Sequence, residues 1–344
     1  MGVPEVRTTH PTKGVPNYMA AGDFTPSRLG QQNATGDALA NFLKVFAGEI
    51  LTAFEIANIM LNRHHIRTIQ SGKSAQFPVM GRAVANYHTP GAALSGQSIK
   101  HNEEIITIDG LLVADVFLSN LDEAMNHYDV RGPYAKELGN ALKVAFDKNV
   151  LQEGILGARA SNKITGLPGG TQIKNNKLRI CTGGAANMTE KYTAIAESLF
   201  LAAQYLASNN VTEQAYCVLR PAEYYALAQN LNVINNLYGG QGSIAEGNVL
   251  KVAGIVILMS NNVPSTDLTG NTFHGGDFTK TIGLVFVESA IGTVKLMDLS
   301  IQVGDFDNRY QGHLTTATYA MGHKYLRPDA LIELCLDTVT NATA

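Results

Sequence analysis

The chain has 344 residues, a formal net charge of −3 and 45% hydrophobic residues. That length supports one large domain or two or three small ones, and the near-neutral total excludes a strong overall pull on nucleic acid or on an anionic membrane. Only 16% of the residues are charged, low for a monomer wetted on every side, which points to a surface largely covered by partners.

Residues 1–35 carry Pro4, Pro11, Pro16 and Pro26 among scattered Gly and polar residues, so they read as an arm without a core of its own. The start, Met1 to Arg7, has no apolar signal segment, and the longest apolar run, Val252 to Met259, is far shorter than the roughly 20 residues of a membrane helix. From Gly36 the pattern becomes helical. Leu39, Phe42 and Phe46 fall on one stripe, and Asp37 can cap it.

Two blocks of opposite charge follow. Between Ile56 and Asn102 there is no Asp or Glu, while Arg63, Arg67, Lys73, Arg82 and Lys100 supply five positive charges. From Glu103 to Val130 there is no Lys or Arg, while Glu103, Glu104, Asp109, Asp115, Asp122, Glu123 and Asp129 supply seven negative ones. The basic block has strand character at His65–Gln70, Phe77–Met80 and Ala83–Tyr87, broken at Ser71–Ser74, Thr89–Gly91 and Ser95–Ser98. An extended arm of about 15 residues reaches roughly 50 Å and cannot stand alone, so it is expected to lie on the acidic face of a neighbouring copy.

Glu104 to Leu118 reads as a strand with a turn or bulge at Asp109-Gly110, and Leu121 to Tyr128 as a short helix. Gly132-Pro133 opens a long helix to about Leu156, roughly 36 Å at 1.5 Å per residue. Tyr134, Leu138, Leu142 and Ala145 form its first stripe, and Val144, Leu151 and Ile155 a shifted one. Gly157 is expected to stop it. After the loop-rich residues 158–185 come a helix from Thr189 to Ser208, a buried strand from Ala215 to Leu219 and a helix opened by Arg220-Pro221 and running to about Leu231. Val249 to Ser260 reads as strands around Gly254, and Asn261 to Thr281 as an inserted polar loop. Leu284–Val287, Gly292–Leu296, Leu299–Val303, Ala317–Gly322 and Leu331–Leu336 read as strands. The outer parts of the chain should therefore form one domain, with residues 190–281 inserted as a second.

No constellation carries catalysis. His64 and His65 are adjacent on a strand and point to opposite sides, so they read as ordinary ribbon residues and not as a metal pair. His127-Tyr-Asp129 reads as structural or interfacial. Gly239-Gly-Gln-Gly242 lacks the Lys-Ser/Thr of a phosphate loop, and His274-Gly-Gly-Asp277 reads as a loop tip. Cys181, Cys217 and Cys335 lack metal spacing and read as buried, reduced thiols.

Six segments carry a resemblance. Phe42-Leu-Lys-Val-Phe-Ala-Gly-Glu-Ile-Leu-Thr-Ala-Phe54, Ser71-Gly-Lys-Ser-Ala-Gln-Phe-Pro-Val79, Ile106-Thr-Ile-Asp-Gly-Leu-Leu112, Asp122-Glu-Ala-Met-Asn-His-Tyr-Asp-Val-Arg131, Ser289-Ala-Ile-Gly-Thr-Val-Lys-Leu296 and Tyr319-Ala-Met-Gly-His323 with Leu326-Arg-Pro328 resemble, in order, the major capsid proteins of T-seven-like short-tailed bacteriophages. The first 35 residues and 158–281 match by pattern only. The resemblance implies an α+β fold of the Hong Kong 97 type. Its parts would be an N-terminal arm (1–62), an extended β-hairpin loop lying over the adjacent subunit (63–108), a peripheral domain (109–189 and 282–344) with a spine helix over about 133–156, and an axial domain (190–281). It further implies a structural protein without cofactor or enzymatic activity, built in the host bacterial cytoplasm into the pentamers and hexamers of an icosahedral virion. That shell would enclose double-stranded DNA, assemble on a scaffolding protein and join a portal at one vertex, with no membrane involved. On the charge pattern, Arg67, Lys73 and Arg82 are expected to face Glu103, Asp122 or Glu123 of a neighbour, with Phe77, Val79 and Tyr87 adding apolar contact. The alternatives are a non-viral compartment shell of the same fold and a cytosolic α/β enzyme using the glycine loops.

Overall fold

The computed structural model describes residues 58–85, 87–91, 93, 96–125, 131–164, 166–178, 188–230, 251–305 and 311–336. The arm over 1–35, the stripe at Leu39–Phe46, His127–Asp129 and Gly239–Gly242 lie outside these residues. The chain divides into two compact units. One holds Met1–Leu51, Asp115–Ala135 and Gln302–Thr316, and the other holds Thr52–Ala114, Lys136–Ile301 and Ala317–Ala344.

The larger unit is built on α2 (Arg131–Ala158), whose buried face is Leu142, Phe146, Val150, Leu151, Ile155 and Ala158. The sequence stripe holds at Leu142, Leu151 and Ile155. Phe146 and Val150 are buried where Val144 and Ala145 were expected, and the latter pair is only half-buried. The helix ends at Ala158, one residue beyond the expected Gly157, which is itself helical. A Cβ at Gly157 would lie 2.4 Å from Leu331 and 2.5 Å from Tyr325, and one at Gly154 would lie 2.4 Å from Leu284. Both glycines let the helix axis press closely onto strands, which outweighs the roughly 1 kcal/mol a helical glycine costs.

Those strands belong to a six-stranded sheet ordered β5-β12-β9-β6-β8-β7. Its members are β5 (Thr171–Lys174), β6 (Ala215–Leu219), β7 (Lys251–Val252), β8 (Ile255–Met259), β9 (Thr281–Val287) and β12 (Leu331–Cys335). Every residue of β9 and of β12 is buried. Such strands read as continuous apolar runs because both faces are covered. α3 (Met188–Ser208) adds Ala194, Ile195, Leu199, Ala202 and Leu206 to the same core. α4 (Pro221–Leu227) starts at the expected proline and closes before Leu231. Strands β6, β7 and β8, from residues 190–281, thus share one sheet with β5, β9 and β12, from outside that segment. Partnering of this kind leaves no mark on local sequence.

A second sheet runs β1-β10-β11-β4. It contains β1 (His65–Thr68), β4 (Gly110–Ser119), β10 (Ile291–Asp305) and β11 (Gly312–Tyr325). β10 is one strand where the sequence suggests two. β2 (Ser74–Met80) and β3 (His101–Thr107) form a separate antiparallel ribbon, in register from Ser74↔Thr107 to Met80↔His101. The smaller unit contains the end of β4, the short helix α1 (Asn120–Met125) and the adjoining ends of β10 and β11. There Gly312 lies so close that a Cβ would be 2.3 Å from the Leu118 carbonyl and 2.4 Å from the Phe117 ring.

Only part of the basic ribbon is strand-paired. β1 pairs in parallel with β10, His65 opposite Gly292 and Thr68 opposite Lys295, so the first segment belongs to the chain's own sheet. Seven-residue strands extend only about 23 Å. No strand forms over Ala83–Tyr87 among the described residues. That stretch has no cross-strand partner, and an apolar alternation without one does not hold a strand.

Candidate shell-contact surface

The ribbon has a fastened base and an open tip. At the base, Ala75, Phe77 and Ile106 pack with Val294 and Leu326. Glu104 is 4% exposed and receives Lys163 at 2.8 Å and Lys324 at 3.2 Å. This member of the acidic block is therefore satisfied inside the chain, by lysines from outside the basic block. Beyond Gly81, whose N–H donates to the Lys100 carbonyl at 2.8 Å, the described side chains of 82–100 are all exposed. Val84 is 63% and Tyr87 106% exposed.

The expected contact residues separate accordingly. Lys73, Tyr87 and Glu103 are exposed. Arg67 is exposed, donates to the Gln76 carbonyl at 3.1 Å and lies 5.7 Å from the centre of the Phe77 ring. Arg82 is exposed and donates to the Asn209 carbonyl at 2.6 Å. Phe77 is only 8% exposed and packs into the ribbon's own base. Asp122 and Glu123 sit on α1, and their side chains lie outside the described set.

Beneath β4 lies a cluster the spacing does not reveal. His274 is no loop tip. Its side chain is 4% exposed, with Nε2 3.0 Å from Asp109 and Nδ1 2.8 Å from Glu153. Serving two carboxylates requires a proton on each ring nitrogen. Burial alone would depress this imidazole. The hydrogen bonds and charges of Asp109 and Glu153 outweigh burial and push its pKa up to about 9. His274 therefore ties the 261–280 loop to both the β3–β4 turn and α2.

His64 is likewise no ribbon residue. It is 3% exposed, and burial lowers its pKa to about 4 against the opposing bond to Met60. Its Nδ1 donates to the Met60 carbonyl at 2.6 Å, so its Nε2 is the acceptor for the Thr293 hydroxyl at 2.7 Å. The Thr293 oxygen then accepts from Nδ1 of His323 at 2.9 Å. His323 is held neutral by burial first and by the nearby His274 charge second. The entry to β1 is further fixed by Asp147 on α2, which accepts from the Ile59 and Met60 N–H groups at 3.0 and 3.2 Å. At the far end of α2, Arg159 clamps Glu333 through two bonds of 2.7 and 2.6 Å, while Gln172 and Thr281 bind the same buried carboxylate.

Each cluster cross-links elements far apart in sequence, and none presents a nucleophile beside a base in an open cleft. Among the described residues no three side chains gather as metal ligands. The arrangement is that of a braced building block carrying an exposed arm, and solved structures share its fold. The mature capsid of bacteriophage PhiM1 matches with a TM-score of 0.71 over 95% of this chain and 100% of that one at 17% identity, a likeness of fold. The capsid structure of cyanophage P-SCSP1u matches with a TM-score of 0.76 and 46% identity, over 92% and 100% of the two chains. The fold is therefore that of Hong Kong 97-like phage shell subunits.

The Gp10A-like major capsid protein model matches residues 76–335. The major capsid protein of Escherichia phage T7 is 36% identical over 329 residues, 86% of this chain and 92% of its own length. The chain belongs to the Gp10A-like major capsid protein family, the structural subunits of icosahedral phage shells.

Proposed function

We propose that this chain assembles into pentamers and hexamers of a virion shell around double-stranded DNA, and that its basic ribbon holds each subunit to the next. The observation that carries the ribbon's role is its tip. Residues 82–100 carry cations and exposed apolar side chains, no acid and no sheet partner among the described residues. Arg67, Lys73 and Arg82 face Glu103, Asp122 or Glu123 of the neighbour, and Tyr87 supplies apolar contact. Phe77 braces the ribbon from within. The axial domain is residues 190–281 and the peripheral domain residues 109–189 and 282–344, and the two meet in the six-stranded sheet, where β6 pairs with β9. A scaffolding protein guides closure in the host cytoplasm, a portal occupies one vertex, DNA is met without sequence preference, and the subunit has no catalytic activity.

Each exposed ion pair contributes only about 0–1 kcal/mol, weak enough for misplaced subunits to leave during assembly. The Lys73→Glu/Arg82→Glu double variant should fold normally and fail to form shells by electron microscopy. Normal shells from it would count against the ribbon's role. Early assembly should also slow as salt rises, since the Debye length is only about 8 Å at physiological ionic strength.

A further inference from the structure

Met60 is fully buried and gripped from both sides at the point where the chain enters β1. Its N–H donates to Asp147 at 3.2 Å, and its carbonyl accepts from Nδ1 of His64 at 2.6 Å. β1 itself has no fully buried side chain among its four residues, and it is an outer strand paired only with β10 among the described residues. Met60 and His64 are therefore its buried anchors. β1 also steadies the ribbon base: the His65 ring meets Phe77 edge-on at 5.7 Å, and Arg67 donates to the Gln76 carbonyl.

His64 and His323 meet on the hydroxyl of Thr293, which is 0% exposed. Thr293 donates to Nε2 of His64 and accepts from Nδ1 of His323, so no place is left for another proton. One added to His64 would set its Nε2–H against the Thr293 hydroxyl proton. One added to His323 would sit on Nε2, which is buried and has no acceptor among the described residues. The Phe146 ring packs against both imidazoles, with centroids 5.7 and 5.1 Å away.

The surrounding charges oppose protonation as well. His65 and Lys295 act on His64, and the charged His274 ring lies 5.8 Å from His323. His323 borders two grooves, one carrying Lys148 and the other Lys73 and Lys324. The carboxylates there, Asp109 and Glu153, are both held by His274. Tyr319 and Tyr325 border the same grooves and stay neutral, both pushed above the usual phenol range by burial. Asp147, with Arg63 near it, is pushed up by burial, so its protonation relieves a buried charge and does not loosen the entry to β1.

We propose that His64 and His323 form a proton-operated clasp: neutral, they hold β1 and the root of the ribbon to the sheet, and their protonation in mild acid releases residues 59–69 while the six-stranded sheet stays folded. The clasp belongs to the single subunit and stands whatever surface the ribbon meets.

In the released state both rings regain the ordinary imidazole pKa of about 6.5. In the closed state burial holds His64 down to about 4 and His323 well below its ordinary value. Both are depressed, so the closed form loses stability as pH falls below about 6.5, and the His64 share is fully lost below about 4. Between pH 7 and 5 each histidine should raise the opening constant roughly 20-fold, and the two together roughly 400-fold. His274, pushed up to about 9, stays charged across that window.

The test is hydrogen exchange of the unassembled wild-type subunit at pH 7, 6 and 5, corrected for intrinsic exchange rates. Protection of amides 65–69 should fall roughly 400-fold from pH 7 to 5, while amides 283–287 of β9 keep theirs. His64→Gln and His323→Gln should each leave a fall of only roughly 20-fold. The wild-type slope tests the same point without any variant: two histidines give roughly 50-fold between pH 6 and 5, and one group can give at most tenfold. A gain of tenfold or less, an equal loss of protection in β9, or glutamine variants that keep the full wild-type fall would each overturn the clasp.

Discussion

β9 and the ribbon tip both carry apolar side chains and hold them in opposite environments. In β9 every side chain is buried between layers, and neighbouring strands β12 and β6 pair with it on both edges. In the tip, Val84 and Tyr87 are exposed, and no strand pairs with it among the described residues. A chain that spends its apolar surface in both ways separates two tasks. The buried sheet sets whether the subunit folds, and the proposal above gives the open tip the task of joining subunits. Mutations in the first region should cost stability, and mutations in the second should cost assembly alone.

The largest stability loss is expected at Glu333, which is 0% exposed. Arg159→Leu leaves that carboxylate without its cation, and losing one partner of a buried pair costs about 3–5 kcal/mol. Urea unfolding of the unassembled subunit measures it. His274 comes next. Its folded pKa is raised from 6.5 to about 9, so the stabilisation is complete below pH 6.5 and fades as pH climbs through about 9. A shift of that size corresponds to about 3 kcal/mol. Melting temperature should fall over that window in the wild type, and His274→Gln should be less stable at pH 6 and lose the slope. A flat wild-type profile would show that the two carboxylates do not hold the imidazolium.

Gly157→Leu should cost about 1–3 kcal/mol by overpacking the helix against Leu331 and Tyr325. The smallest stability effect belongs to Tyr87→Ser. An exposed substitution stays within about 0.5 kcal/mol, yet it should visibly reduce shell yield by sedimentation. Equal losses of stability at Gly157 and Tyr87 would erase the distinction between the two regions.

Much of the frame was legible because it is local. The caps, stripes and breakers at Pro133, Pro221 and Gly254 gave the helices and strands in order. The charge segregation from Arg63 to Asp129 marked the ribbon. What stayed hidden is long-range. Nothing in the spacing of Asp109, Glu153 and His274 shows that they converge, and His64 looks like a ribbon residue until Thr293 and His323 are seen across from it. Gly157 carries the signal of a helix stop, and only the packing of Leu331 shows its other use. Phe77 fits an exposed alternating strand in sequence, and Val294 and Leu326 bury it.

The most direct measurement replaces residues 83–99 with a short glycine linker and follows both properties of the same protein. The hydrogen bond from Gly81 to Lys100 already closes the ribbon below that point. The unfolding midpoint should match the wild type while shells disappear from electron micrographs. Shells of normal size and yield from the shortened chain would contradict the account.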